Sequence, residues 1–154
     1  MARIICMFDS PTLGRSVDQA LNHSHHVSYL PASQLDDSVR DQIVELQPDL
    51  ILLELTPRMD NPHLFFFLRA EASTRAVPIV MVSSHPALAS YADMLGADGS
   101  LIAPLAAADI HETIAAFIAP LQRPFPFEMP MFPVIPADRI PLPVERRSVV
   151  AVTA

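Results

Sequence analysis

Five strand-like stretches recur along the first 119 residues, and between them apolar side chains fall at helical spacing. The clearest stretch is Leu50–Ile51–Leu52–Leu53, unbroken by any polar residue and set between Pro48 and Pro57. A run of that kind suits a strand buried on both faces of a parallel sheet, where helices cover each side. Arg3–Phe8, His25–Leu30, Val77–Ser83 and Ser100–Ile102 read as its neighbours. Leu13, Val17, Ala20 and Leu21 predict a first helix after Ser10–Pro11–Thr12. Asp36 or Asp37 caps a second, with Val39, Ile43, Val44 and Leu46 on its inner face. Asn61–Pro62 is an N-cap and first-turn pair for a third, through Leu64, Phe67 and Leu68. A fourth runs from Pro86 to Leu95 and stops at Gly96; Asp109 caps the last, with Ile110, Ile114, Phe117 and Ile118 inward.

Five β-then-α units predict an α/β fold, a parallel sheet with helices on both faces in the order 2-1-3-4-5. Ligands of such sheets gather at the carboxyl ends of the strands. Glu54, which closes the central strand, is therefore the first candidate functional residue.

Charge and composition narrow the picture. The net charge is −7, and all ten basic residues are arginine. A chain without lysine and with an acidic surplus is a poor nucleic-acid binder. Residues 1–119 hold 6 Arg against 14 Asp and Glu, whereas 120–154 hold 4 against 3. The expected organisation is one domain over 1–119 and a Pro-rich extended tail over 120–154. Eight prolines between Pro120 and Pro143 exclude helix there, and the interleaved Phe125, Phe127 and Phe132 suit docking better than a free linker. Ser148–Ala154 has strand-forming residues that can extend a sheet edge. A single Cys6, no secretory leader and no apolar run of membrane-spanning length lead to the expectation of a cytoplasmic protein without membrane contact.

The run from Pro48 to Asn61 resembles the phosphoacceptor region of a response-regulator receiver domain, as in two-component signalling. Leu68–Ser84 and Gly96–Leu105 resemble two further receiver motifs, in the right order and at the right spacing. The resemblance implies a flavodoxin-like (βα)5 sandwich. In that family an Asp at the end of the third strand accepts phosphate beside a divalent cation held by paired acidic residues, with a Thr or Ser and a Lys gripping the phosphoryl oxygens. Glu54 stands here at the phosphoacceptor position. Asp9 matches the first acidic residue and Ser10 replaces the second. Ser83 matches the hydroxyl residue and Ala103 replaces the lysine.

Each departure weakens phosphoryl transfer. Glu54 displaces the carboxylate by a methylene, and a misplacement of ~1 Å costs on the order of 100-fold. The missing lysine removes a fixed charge from the oxyanion. Arg58 is not a like-for-like substitute. Asp9 and Glu54 make at most a weak Mg²⁺ site, and no cofactor is expected. Glu54 is alternatively a mimic of the phosphorylated state, reaching Ser83; Ser83 alternatively just satisfies its strand end.

Other candidates carry less. His23, His25 and His26 lack a cysteine or acidic partner in sequence and read as a turn. Ser10–Gly14 is a weak match to a flavin phosphate loop. Phe65 and Phe66 are expected to face outward as an interaction surface. The sequence thus predicts a non-enzymatic, degenerate receiver acting by protein–protein contact, with a histidine kinase or another signalling protein as the partner class and a homodimer open. Two alternatives stand: a phosphorylation-competent regulator using Asp9, Glu54, Ser83 and Mg²⁺, and a small flavin or nucleotide binder.

Overall fold

Every residue of the central strand, Leu50–Glu54 (β3), pairs with a parallel neighbour on one side or both, and its successive side chains leave the sheet on opposite faces. The computed structural model describes residues 1–21, 23–56 and 61–118. The Pro-rich tail, the boundary expected at 119, the strand-like Ser148–Ala154 and Arg58 lie outside them.

The remaining strands are Arg3–Met7 (β1), His26–Leu30 (β2), Ile79–Ser83 (β4) and Gly99–Ile102 (β5). All pairings are parallel and the order is β2-β1-β3-β4-β5, as expected from the sequence. Register sets Ile4 beside Leu50, Ile51 beside Ile79 and Val80 beside Gly99.

The helices are Pro11–Leu21 (α1), Asp37–Leu46 (α2), Pro62–Ala70 (α3), Leu88–Leu95 (α4) and Ala107–Phe117 (α5). Ile4, Cys6, Leu52, Val80 and Val82 point to one face, where Leu13, Val17, Ile110, Ile114 and Ile118 pack. Ile5, Met7, Ile51, Leu53, Ile79 and Met81 point to the other, against Ile43, Leu64, Phe65, Leu68 and Leu88. The sheet thus separates two apolar layers, α1 and α5 closing one and α2, α3 and α4 the other.

Local chemistry ends the helices. Asp36 caps α2 by accepting the Val39 N–H at 2.9 Å. Gly96 ends α4 at φ 85°, a left-handed conformation that glycine adopts without steric cost. Arg69 bonds Asp98 at 2.6 Å and also donates to the carbonyls of Arg75 and Val77, tying α3 to the approach of β4 and β5.

Three sequence expectations change. Phe65 is 2% exposed and Phe66 54%, so the inner face of α3 is Leu64, Phe65 and Leu68. The helix is rotated so that Phe65 enters the core and Phe67 lies half-buried beneath the Arg40 guanidinium, 5.1 Å from its ring centre. Val44 faces solvent on α2, whose buried residues are Val39 and Ile43, four apart on one face. Asp109 lies inside the first turn of α5 and Ala106 occupies its N-cap, so Asp109 acts on the helix dipole without capping.

Candidate functional site

β1, β3, β4 and β5 all end at the same edge of the sheet, and their next residues converge there. Glu54 is the last residue of β3 and is half-buried. Its Oε2 accepts the backbone N–H of Asp9 at 2.6 Å and that of Ser10 at 3.0 Å. The extra methylene of glutamate carries the carboxylate across to the loop that leads into α1. There it meets exposed N–H groups and the positive end of a helix dipole, an arrangement that favours an anion.

Asp9 does not face Glu54 with its carboxylate. Its Oδ1 accepts the N–H of Ala32, which follows β2, at 2.9 Å. Ser83 is buried, and its Oγ accepts the His85 N–H at 3.1 Å; His85 Nδ1 in turn accepts the Ala87 N–H at 3.0 Å. Ser83 therefore satisfies the turn after β4, and Glu54 bonds the loop after β1 instead of Ser83. Ala103 follows β5 and is joined to Pro104 by a cis peptide bond.

These residues rim one cavity. It has a volume of about 390 Å³ and is lined by Ser10, Glu54, Leu55, Ser83, Ser84 and Ala103, with Leu13, Pro104 and Leu105 adding apolar wall. The structure thus brings together Ser10, Glu54, Ser83 and Ala103, while Asp9 sits beside them with its carboxylate engaged elsewhere. Among the described residues, no three His, Cys, Asp or Glu side chains come together as a metal site.

Asn61 is a further site residue whose role sequence reasoning missed. It is buried, donates from Nδ2 to the carbonyls of Glu54 at 2.9 Å and Ala32 at 3.1 Å, and accepts the Thr56 N–H at 3.0 Å. It occupies the N-cap position of α3 with Pro62 next, as the sequence predicts, but its side chain makes no capping hydrogen bond. A polar residue just before an N1 proline, close after a strand end, is the one signal that pointed to it.

The candidate residues elsewhere lie apart. His25 Nδ1 accepts the Ala2 N–H at 3.2 Å, so this histidine is structural. Burial, the nearby amino terminus and His111 hold its pKa below the usual imidazole value. Tyr29 donates to the Asp18 carboxylate and to the Gly14 carbonyl, and burial pushes its phenol upward.

No protein-family model and no curated protein matches the chain in sequence. Solved structures do match in shape. The N-terminal domain of the nisin resistance regulator NsrR, a lantibiotic response regulator, aligns at 25% identity with a TM-score of 0.61, covering 76% of this chain and 97% of that one. The Vibrio cholerae chemotaxis protein CheY4 aligns at 18% identity and TM-score 0.64, over 77% and 99% of the two chains. The Mn(2+)-bound form of the response regulator Rcp1 aligns at 19% and 0.53, over 76% and 94%. The chain has the receiver-domain fold. Within that receiver fold the cavity edge described above is where β1, β3, β4 and β5 deliver their terminal residues. Among the described residues no helix is long and apolar enough to cross a membrane.

Proposed function

We propose that this receiver-fold chain is a signalling module that works through protein–protein contact, without phosphorylation at position 54. The observation that carries the reading is the pair of hydrogen bonds from the Asp9 and Ser10 N–H groups to Glu54 Oε2. With Oε2 tied to two backbone donors, the carboxylate is held toward the loop after β1, away from the position a shorter aspartate side chain would give it for in-line attack on a phosphodonor. No arginine is among the described residues lining the cavity and the chain has no lysine, so no cationic side chain described there offsets phosphoryl charge, and the N–H groups before α1 are already taken by Glu54.

The same geometry bears on the cation. Rcp1 has a Mn(2+)-bound form. Here the Asp9 carboxylate is turned to Ala32 and Glu54 to the loop backbone, and Ser10 offers a hydroxyl where a second carboxylate would be needed. This donor set does not suit a hard divalent ion. Glu54 already occupies the N–H groups before α1 that a flavin or nucleotide phosphate would need, which disfavours such a ligand. A histidine kinase or another signalling protein remains the proposed partner class, and no membrane or nucleic acid is part of the reading.

Full-length protein incubated with acetyl phosphate and Mg²⁺, then examined by intact mass, tests it. Unchanged mass is the expected result; a stable phosphoryl adduct at Glu54 would overturn the proposal.

A further inference from the structure

The cavity at the strand ends has a chemical character of its own. It opens beside β1 and β3, where the strand order reverses direction, the usual ligand crevice of open parallel sheets. Its volume of about 390 Å³ falls within the range of small-molecule sites. Ala103 contributes only a methyl group to the wall, so the space beside Glu54 stays open.

Charge selects the occupant. Glu54 is the one acidic or basic side chain among the described lining residues, and the chain as a whole carries −7. An anion placed there would face a carboxylate with no cationic side chain among the described lining residues, in a partly desolvated setting where repulsion is strong. Glu54 Oε2 is committed to two backbone donors, whereas Oε1 accepts no hydrogen bond from the described residues. One carboxylate oxygen is thus left to accept an N–H⁺. Elsewhere on the lining, the hydroxyls of Ser10, Thr12, Ser16 and Ser84 offer further polar groups, and Leu13, Leu55 and Leu105 offer apolar surface.

We propose that this cavity binds a small organic cation, a protonated amine on a compact apolar body, with its ammonium on Glu54 Oε1 and its apolar part against Leu13, Leu55 and Leu105. The ammonium makes a charge-assisted hydrogen bond, and the apolar body displaces water from a wall that cannot bond it. A neutral isostere loses the first contribution and an acidic one meets repulsion. The proposal rests on the reading that Glu54 carries no phosphate, and it adds a ligand-sensing role to the contact role proposed above.

Benzylamine, benzyl alcohol, benzoate and inorganic phosphate, each titrated into full-length ¹⁵N-labelled protein, provide the test through amide shifts. Benzylamine should shift the amides of Ser10, Leu55 and Ser83 saturably, with a Kd roughly tenfold or more below those of benzyl alcohol and benzoate. Glu54→Gln keeps an oxygen for the loop N–H groups but removes the charge, and should weaken benzylamine about tenfold. Ala103→Lys fills the space with a competing ammonium and should abolish binding. No benzylamine shifts at these amides, or equal binding by wild type and both variants, would overturn the proposal. Phosphate binding at the same amides would overturn it together with the contact-only function; silence from all four probes overturns the amine site alone.

Discussion

Glu54 Oε2 lies 2.6 Å from the backbone nitrogen of Asp9, so the last residue of β3 is bonded directly to the first residues after β1. The bond joins the central strand to its neighbour β1 at their carboxyl ends and places a negative group before α1. Glu54→Ala removes the acceptor for two N–H groups and should cost about 1–2 kcal/mol of stability in urea denaturation. Amide exchange at Asp9 and Ser10 should accelerate selectively. Glu54→Asp should do the same, because the shorter side chain falls short of the loop.

Asn61 makes three hydrogen bonds that tie the end of β3, at Glu54 and Thr56, to the loop after β2 at Ala32. Asn61→Ala leaves the Glu54 and Ala32 carbonyls and the Thr56 N–H without that partner. A loss of about 2–3 kcal/mol is expected, larger than for any exposed Asn or Gln changed to Ala, and thermal unfolding reads it.

Phe65 and Phe66 meet edge-on at 5.7 Å between ring centres, yet only Phe65 is buried. Phe65→Ala should cost about 3–5 kcal/mol through the void it leaves. Phe66→Ala should cost less than about 1 kcal/mol. Comparable losses for the two would mean that the helix face has been misassigned.

Cys6 sits in β1 fully enclosed, and burial, aided by Asp18, pushes its thiol far above the usual range. The thiolate is the reactive form. Folded protein should therefore resist an aromatic disulfide reagent at neutral pH and react fully on adding denaturant. Rapid labelling of folded protein would contradict the enclosure.

His25 has a folded pKa below its unfolded value of 6.5. Between those two values the unfolded chain binds the proton and the folded chain does not, so protons favour unfolding there. Its contribution is complete above the unfolded value and is lost as pH falls toward the folded one. Denaturant midpoints measured from pH 7.5 downward should decline through this window, and His25→Gln should flatten the decline.

Much of the architecture was readable in the residues. Leu50–Leu53 between two prolines admits little besides a doubly covered strand, and Leu13, Val17, Ala20 and Leu21 name a helix face without ambiguity; all four are buried. The α3 face was not readable, because Phe65–Phe66–Phe67 satisfies the helical period in more than one rotation and only the packed neighbours choose. The site was legible as a set of positions but not as a set of bonds. Sequence put Glu54 near Ser10 and Ser83, yet whether its carboxylate turns to a hydroxyl or to a backbone donor depends on a loop conformation that no local pattern encodes. Asn61 was hidden for the same reason, since its partners lie on segments up to 29 residues away.

Because neighbouring residues of β1, β3 and β4 feed opposite apolar layers, none of these three strands belongs to one layer alone. Sliding any of them by one position would exchange every side chain between a compartment roofed by two helices and one roofed by three. Neither compartment can then assemble ahead of the other, and near misses in pairing gain almost nothing. The folded domain should consequently melt as a single unit, with loss of sheet and loss of helix superimposed at every wavelength that reports them.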